Sequence, residues 1–401
     1  MNNNFWIKIG ILNLIIVATI GVLMRYKIGF EFPYFDQKHL LHGHSHFAFS
    51  GWVTHILYVL LFFFLKENGL QPISTTSYKY LIYANLISAY GMLISFISQG
   101  YGTISITFST LSIIAGYIYS WHYIRDLHKM HIFHPSIKWF KAALLFNVLS
   151  SLGTFYLAYM MATKNIHQHG YLASVYFYLH FQYSGWFFFA IMGLLMEKLK
   201  HLPGFKTDST IFNCFFIACI PAYLLSVLWI KMPWYLLIIP VFAVVLQLYG
   251  LYRLLILLRE QSDFMKRKWL KEVRFIFSLA LMALIVKLFL QAASIFPEIS
   301  KLAFGFRSIV IAYLHLVLLG ITTLFLLGYL LLCGYIKEVK TSFVALILFC
   351  CGVVANELVL MIQGVTSFAY IMIPYLNEIL LGVSIFMLGS LVLLLLSYKK
   401  I

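Results

Sequence analysis

The amino-acid sequence predicts an all-α polytopic membrane protein of about twelve transmembrane helices in three four-helix pseudo-repeats. Three observations lead there: a membrane composition, apolar runs of spanning length, and a histidine–glycine pattern at constant period. Hydrophobic residues make up 62% of the 401-residue chain and charged residues 10%, with a mean hydropathy of +0.90. Soluble domains carry about 25% charged residues, so a soluble class is excluded. The aromatic content of 18% suits helices that fill space against lipid, rings or one another, and identifies no ligand.

Crossing about 30 Å of hydrocarbon takes roughly 20 apolar residues, and polar punctuation divides the chain into about twelve such runs. The first quartet is expected near 5–24, 40–65, 78–98 and 104–124. The second is expected near 139–162, 171–199, 209–230 and 234–258, and the third near 270–294, 307–334, 342–364 and 371–397. The repeats then cover about 1–138, 139–268 and 269–401 of a single transmembrane domain. The run from Phe5 to Leu23 lacks a small-residue cleavage site and is expected to stay as a helix. No stretch between runs is long and polar enough for a soluble domain. Cys214, Cys219, Cys333, Cys350 and Cys351 all fall in apolar stretches without CxxC or CxxCH spacing. They read as small buried hydrophobes, so any haem is held non-covalently.

Basic residues set the expected orientation. With both termini on one side, that side holds 21 of the 29 Lys and Arg residues, including Lys266, Arg267, Lys268, Lys399 and Lys400. The opposite side holds seven, Arg25, Lys27, Lys38, Lys164, Lys231, Lys301 and Arg307, while Lys287 lies within a helix. Both termini are therefore expected in the cytoplasm, in the cell (inner) membrane. The net charge of +16 is mainly an orientation signal, with attraction to anionic lipid as a by-product and no nucleic-acid partner.

Three segments share a histidine followed five residues later by glycine. They are His46 with Gly51 and Trp52, His180 with Gly185 and Trp186, and the diverged His315 with Gly320 and Ile321. The histidines are 134 and 135 residues apart, the trace of a unit copied twice. Each stands in the second helix of its quartet, roughly 10 Å from the outer end at 1.5 Å per residue. Ionisable groups inside membranes usually face a bundle interior or a functional cavity, so the three point to cofactor or metal ligands. The alternative is buried histidines satisfied by backbone carbonyls or neighbouring side chains.

The densest constellation opens the second helix: His39, His42, His44 and His46, with His55 further along. At 100° per residue, His42 and His46 share a face, while His44 points about 200° away and aligns with His55. Such an HxH pair can ligate two separate centres, for instance two haems flanking the helix. His39 and His42 suit equally a wet headgroup cluster, and His167 and His169 an outer-surface metal site. His122, His128, His131, His134 and His201 read as inner loop residues. Lys287, Glu357 and Glu378, with Asn356 and Asn377 before the two glutamates, share the histidine layer. A buried ion pair accounts for Lys287 and one glutamate, and the other carboxylate needs a proton, a metal or a haem edge. Arg307, at the outer start of the tenth helix, is placed to meet a haem propionate.

Twelve helices in quartets, with histidines on the second, sixth and tenth, resemble the catalytic subunit of the haem-copper oxidoreductase superfamily. The resemblance spans the whole chain in architecture but only a few residues in motif. It implies that His46 and His315 hold a low-spin haem b and that His180 stands where a copper ligand lies. His44-Ser-His46-x-x-x-x-Gly51-Trp52 is also similar to a tenth-helix motif of cbb-type oxidases, and the NnrS family is a second candidate relative. Three positions depart from the pattern. The seventh helix has no histidine, Tyr313 stands where the tenth helix would carry its HxH partner, and Ser184 stands where tyrosine would follow His180. A conventional oxygen-reducing centre is not expected.

The sequence is thus read as a haem-binding membrane protein for electron transfer or diatomic-gas handling. His44 or His180 would serve a second haem or metal such as copper, with Glu357 and Glu378 nearby as oxygen ligands or proton carriers. A respiratory complex or a cytochrome donor is the implied partner. A histidine-lined transporter or channel and a cofactor-free assembly factor are the other readings. Repeats with an even helix number are parallel rather than inverted, and Pro221, Pro233 and Pro240 have no counterparts in the other quartets.

Overall fold

The computed structural model describes residues 3–69, 74–129, 134–230, 232–368, 371 and 373–398. His131, Lys231, Lys399 and Lys400, read above as loop or orientation residues, lie outside the described residues. Among the described residues the chain is helical and has no strand. Eleven helices are long and apolar enough to cross a membrane, and a bent pair makes a twelfth. In chain order they are α1 (Asn3–Gly29), α2 (Gln37–Glu67), α3 (Thr75–Gln99), α4 (Thr103–His128), α5 (Ser136–Ala162) and α6 (Gln168–Lys200). The bent pair α7 (Ser209–Cys219 and Pro221–Val227) follows, then α8 (Trp234–Glu260), α9 (Lys271–Ala293), α10 (Arg307–Leu332), α11 (Lys340–Ser367) and α12 (Leu376–Ser397). The protein is an all-α, multi-pass membrane protein.

The chain forms two compact units. The first comprises 1–131 and 323–401, hence α1 to α4, the end of α10, α11 and α12. The second, 132–322, holds the entire second quartet, α9 and the start of α10. In the first unit α1 packs on α12 and α2, α3 on α4, and α11 on α12. α2 is 94% buried over its apolar window, whereas α4 and α12 are each only 28% buried. Ile87, Ile94, Leu111 and Ile385 lie exposed on such outer faces, where they contact lipid rather than water.

Local chemistry sets the helix ends. Asp36 caps α2, its carboxylate accepting from the backbone N–H groups of Lys38 (2.8 Å) and His39 (3.0 Å). The His39 bond is the main cause holding the Asp36 carboxyl below its usual pKa. Ser74 caps α3 through the N–H of Ser77, and Asp208 caps α7 through that of Thr210. α12 starts at Leu376, five residues later than its apolar run suggests, because Pro374 stands in the run and Tyr375 is left-handed (φ 61°). Glu378 therefore lies in the first turn of α12 and is exposed, not seven residues into the span.

Ahead of α5, buried His134 accepts the N–H of Ser136 at Nδ1 (3.2 Å). Burial, helped by the charges of Lys200 and His201, pushes its pKa down to about 4. The folded imidazole binds a proton less readily than the unfolded one. Its contribution to stability is therefore whole above about pH 6.5 and lost as pH falls toward the folded value. Acidification from pH 7 to 4.5 is expected to cost on the order of 2 kcal/mol at this residue. Thermal unfolding at both pH values checks this. The acid-induced drop should shrink in His134→Asn, which keeps an acceptor for Ser136, and an equal drop in both proteins would refute it.

Candidate histidine sites and π-helical segments

α1 and α2 meet antiparallel, so a step of eleven residues along one matches eleven back along the other. His44 donates Nδ1–H to the Val17 carbonyl (3.1 Å), and His55 donates Nε2–H to the Trp6 carbonyl (3.1 Å). His46 points to other neighbours: its ring stacks on Phe96 at 4.3 Å and 13°, with Nε2 3.3 Å from the Tyr101 hydroxyl. His42 touches the same two rings. The 200° offset read from the sequence thus sends His44 and His55 to α1, and His42 and His46 to α3 and Tyr101. A carbonyl only accepts, so the proton of His44 is on Nδ1 and the lone pair is on Nε2.

A backbone feature recurs beside the three histidines. π-helical turns occupy Ala48–Thr54 in α2, Phe181–Phe187 in α6 and Leu316–Thr323 in α10. Each begins one or two residues after His46, His180 or His315. The wider turn shifts carbonyls out of the α-helical ladder, and inside a membrane each must find a donor. In the first unit Asn85 donates to the Ser50 carbonyl (3.0 Å) and Asn13 to the Gly51 carbonyl, while Tyr90 donates to Asn13 (2.6 Å). In the second the Cys219 thiol donates to the Ser184 carbonyl (3.8 Å), and Gln182 donates to Asn147 (2.9 Å) and Ser150 (2.8 Å). Asn13 and Asn147, Asn85 and Cys219, and Ser50 and Ser184 are all 134 residues apart. The repeat extends to polar side chains beside these turns, and that spacing was open to reading in the sequence. The number of residues from helix start to histidine is less uniform than expected: nine in α2, twelve in α6 and eight in α10.

His180 is fully buried, and its Nε2–H donates to the Cys219 carbonyl at 2.8 Å. That carbonyl lies where α7 bends by 47° before Pro221, which has no N–H to continue the ladder. His180 thereby anchors a broken helix, and only Nδ1 remains as a lone pair, unbonded among the described residues. Lys287 is also buried and donates to the Ser184 hydroxyl (3.3 Å). The expected ion pair with a glutamate is not found: among the described residues no ion pair involves Lys287.

His315 is half-buried and donates Nδ1–H to the Ile311 carbonyl one turn back (2.8 Å), which places the lone pair on Nε2. Arg307 is exposed at the first residue of α10. Glu357 is half-buried and accepts from Asn356 at 3.1 Å. His167 and His169 are exposed, the latter against the Trp229 ring. Among the described residues no three His, Cys, Asp or Glu side chains converge to hold a metal ion. The chain matches no protein-family model and no curated protein.

Proposed function

We propose that this chain is a haem-binding integral membrane protein, with His315 and the His44–His46 pair as sources of axial imidazole. The observation that carries the reading is tautomeric. His315 and His44 both donate Nδ1–H to a backbone carbonyl, which fixes the ring in the orientation and tautomer usual for an iron-bound histidine. His46 is the alternative donor on α2, and its Nε2 would exchange the long Tyr101 contact for iron. His180 presents the opposite tautomer, with Nε2–H donated to the Cys219 carbonyl and Nδ1 as its lone pair. Bound haem would supply reversible one-electron chemistry or a diatomic-gas ligand position. In the first unit Phe96 would hold the His46 ring by stacking, and in the second Arg307, at the first residue of α10, would be offered to a propionate. The reading adds cytoplasmic termini in the cell membrane, from the basic bias, and a cytochrome or respiratory-complex partner.

Protein purified from haem-replete cells is expected to show a Soret band and about one or more haems per chain by pyridine haemochrome, with metal analysis of the same sample reporting any copper. A colourless preparation overturns the reading.

A further inference from the structure

A buried cation that forms no ion pair among the described residues stands in the second unit. Lys287 on α9 is 5% exposed, and its ammonium donates to the Ser184 hydroxyl on α6. The unit's paired carboxylates are engaged elsewhere: Glu197 with Lys198 and His201, Asp208 with Arg253, Asp263 with Lys266 and Glu272 with Lys271. An ammonium removed from water costs several kcal/mol unless an opposite charge or good acceptors replace its hydration, and one hydroxyl at 3.3 Å is a thin replacement.

Lys287 borders a small cavity between α6, α7, α8 and α9, whose polar lining is Ser184, Cys219, Gln247 and Lys287, the rest being Phe and Leu. There is room for a body of about one water. The polar groups are mostly donors: an ammonium with N–H groups to spare, a hydroxyl, and the Gln247 amide, itself 5% exposed. The lining contains no carboxylate, and aromatic edges carry positive partial charge. Polyatomic dianions such as sulfate are too large for this space.

We propose that Lys287, Ser184 and Gln247 form a binding site for a small monovalent anion of chloride size, held in the core of the second unit. The bend of α7 takes part. It frees the Cys219 carbonyl for His180, while the Cys219 side chain turns to the cavity wall and the Ser184 carbonyl. The anion would neutralise Lys287, which no side chain among the described residues pairs. The site is independent of haem.

The test uses the purified full chain in detergent at constant ionic strength, with thermal unfolding followed as gluconate is exchanged for chloride, bromide or sulfate. A ligand that binds only the folded state raises the melting temperature progressively, with the logarithm of its concentration once that exceeds Kd. Chloride and bromide are expected to do so, and sulfate and gluconate are not. Lys287→Met should abolish the halide response while melting in gluconate no lower than wild type, because it removes an unpaired buried charge. Should that variant fail to fold, Ser184→Ala serves instead and is expected to raise the chloride concentration needed for a given melting-temperature rise about tenfold, the weight of one bond to a charged partner. A halide response equal in wild type and variants, or equal for chloride and sulfate, overturns the proposal.

Discussion

Alanine at His315 is expected to reduce the Soret absorbance per chain by about tenfold or more, if the imidazole is an axial ligand as proposed. Ile311 and His315 are one helical turn apart, so the Ile311 carbonyl lies under the imidazole and takes the Nδ1 proton. Nothing small or apolar at position 315 can replace the Nε2 lone pair. His315→Met offers a different readout: a thioether keeps the iron bound, shifts the spectrum and raises the reduction potential. His44→Ala and His46→Ala separate the two candidates on α2, since only the variant lacking the true ligand should bleach. His180→Ala is the counter-case. It should keep its colour but melt earlier, by the roughly 1–3 kcal/mol of an orphaned carbonyl at the bend of α7. Equal colour in the His315, His44 and His46 variants would remove imidazole ligation altogether.

The spans were legible because membrane helices announce themselves by apolar length, and α2, α6 and α10 fell within a few residues of their sequence limits. The opposed faces of His44 and His46 were legible for the same reason: 100° per residue holds until the helix changes type. It changes just after, at Ala48, and no residue pattern announced the π turn. Its satellites carried a readable signal, the 134-residue separation of Asn13 from Asn147, but asparagines in a helix look like ordinary polar residues until the carbonyl they serve is known. The Asn85-to-Cys219 exchange was hidden further, because an amide and a thiol do the same work while sharing no chemical type. The Lys287 ion pair misled for a physical reason. Opposite charges buried in spans invite pairing, yet Lys287 donates to the Ser184 hydroxyl and Glu357 accepts from its neighbour Asn356. Glu378 misled through Pro374, which moved a helix start past an apolar run that otherwise looked continuous.

At Gly153 α5 approaches α6 backbone to backbone, and leucine there is expected to be among the most damaging substitutions in the second unit. Membrane helices gain little from the hydrophobic effect against lipid, so they associate by close backbone approach at small residues. A Cβ on Gly153 would stand 2.6 Å from the Ser174 carbonyl oxygen and 3.0 Å from the Tyr178 nitrogen. Both obstacles are backbone, so no rotamer change relieves them and the helices must separate. Separation strains the rest of the α5–α6 seam, including the Gln182 bonds to Asn147 and Ser150 that support the π turn beside His180. Gly153→Ala is expected to cost about 1–3 kcal/mol and Gly153→Leu more, as overpacking does where the backbone cannot yield. Gly389 on α12 provides the contrast: it is exposed, and a Cβ there meets nothing within 4 Å. Gly389→Leu should leave the melting temperature in detergent near wild type. Were Gly153→Leu to melt with it, the two helices would not depend on the approach seen at this residue, and the support of the α6 π turn would have to come from elsewhere.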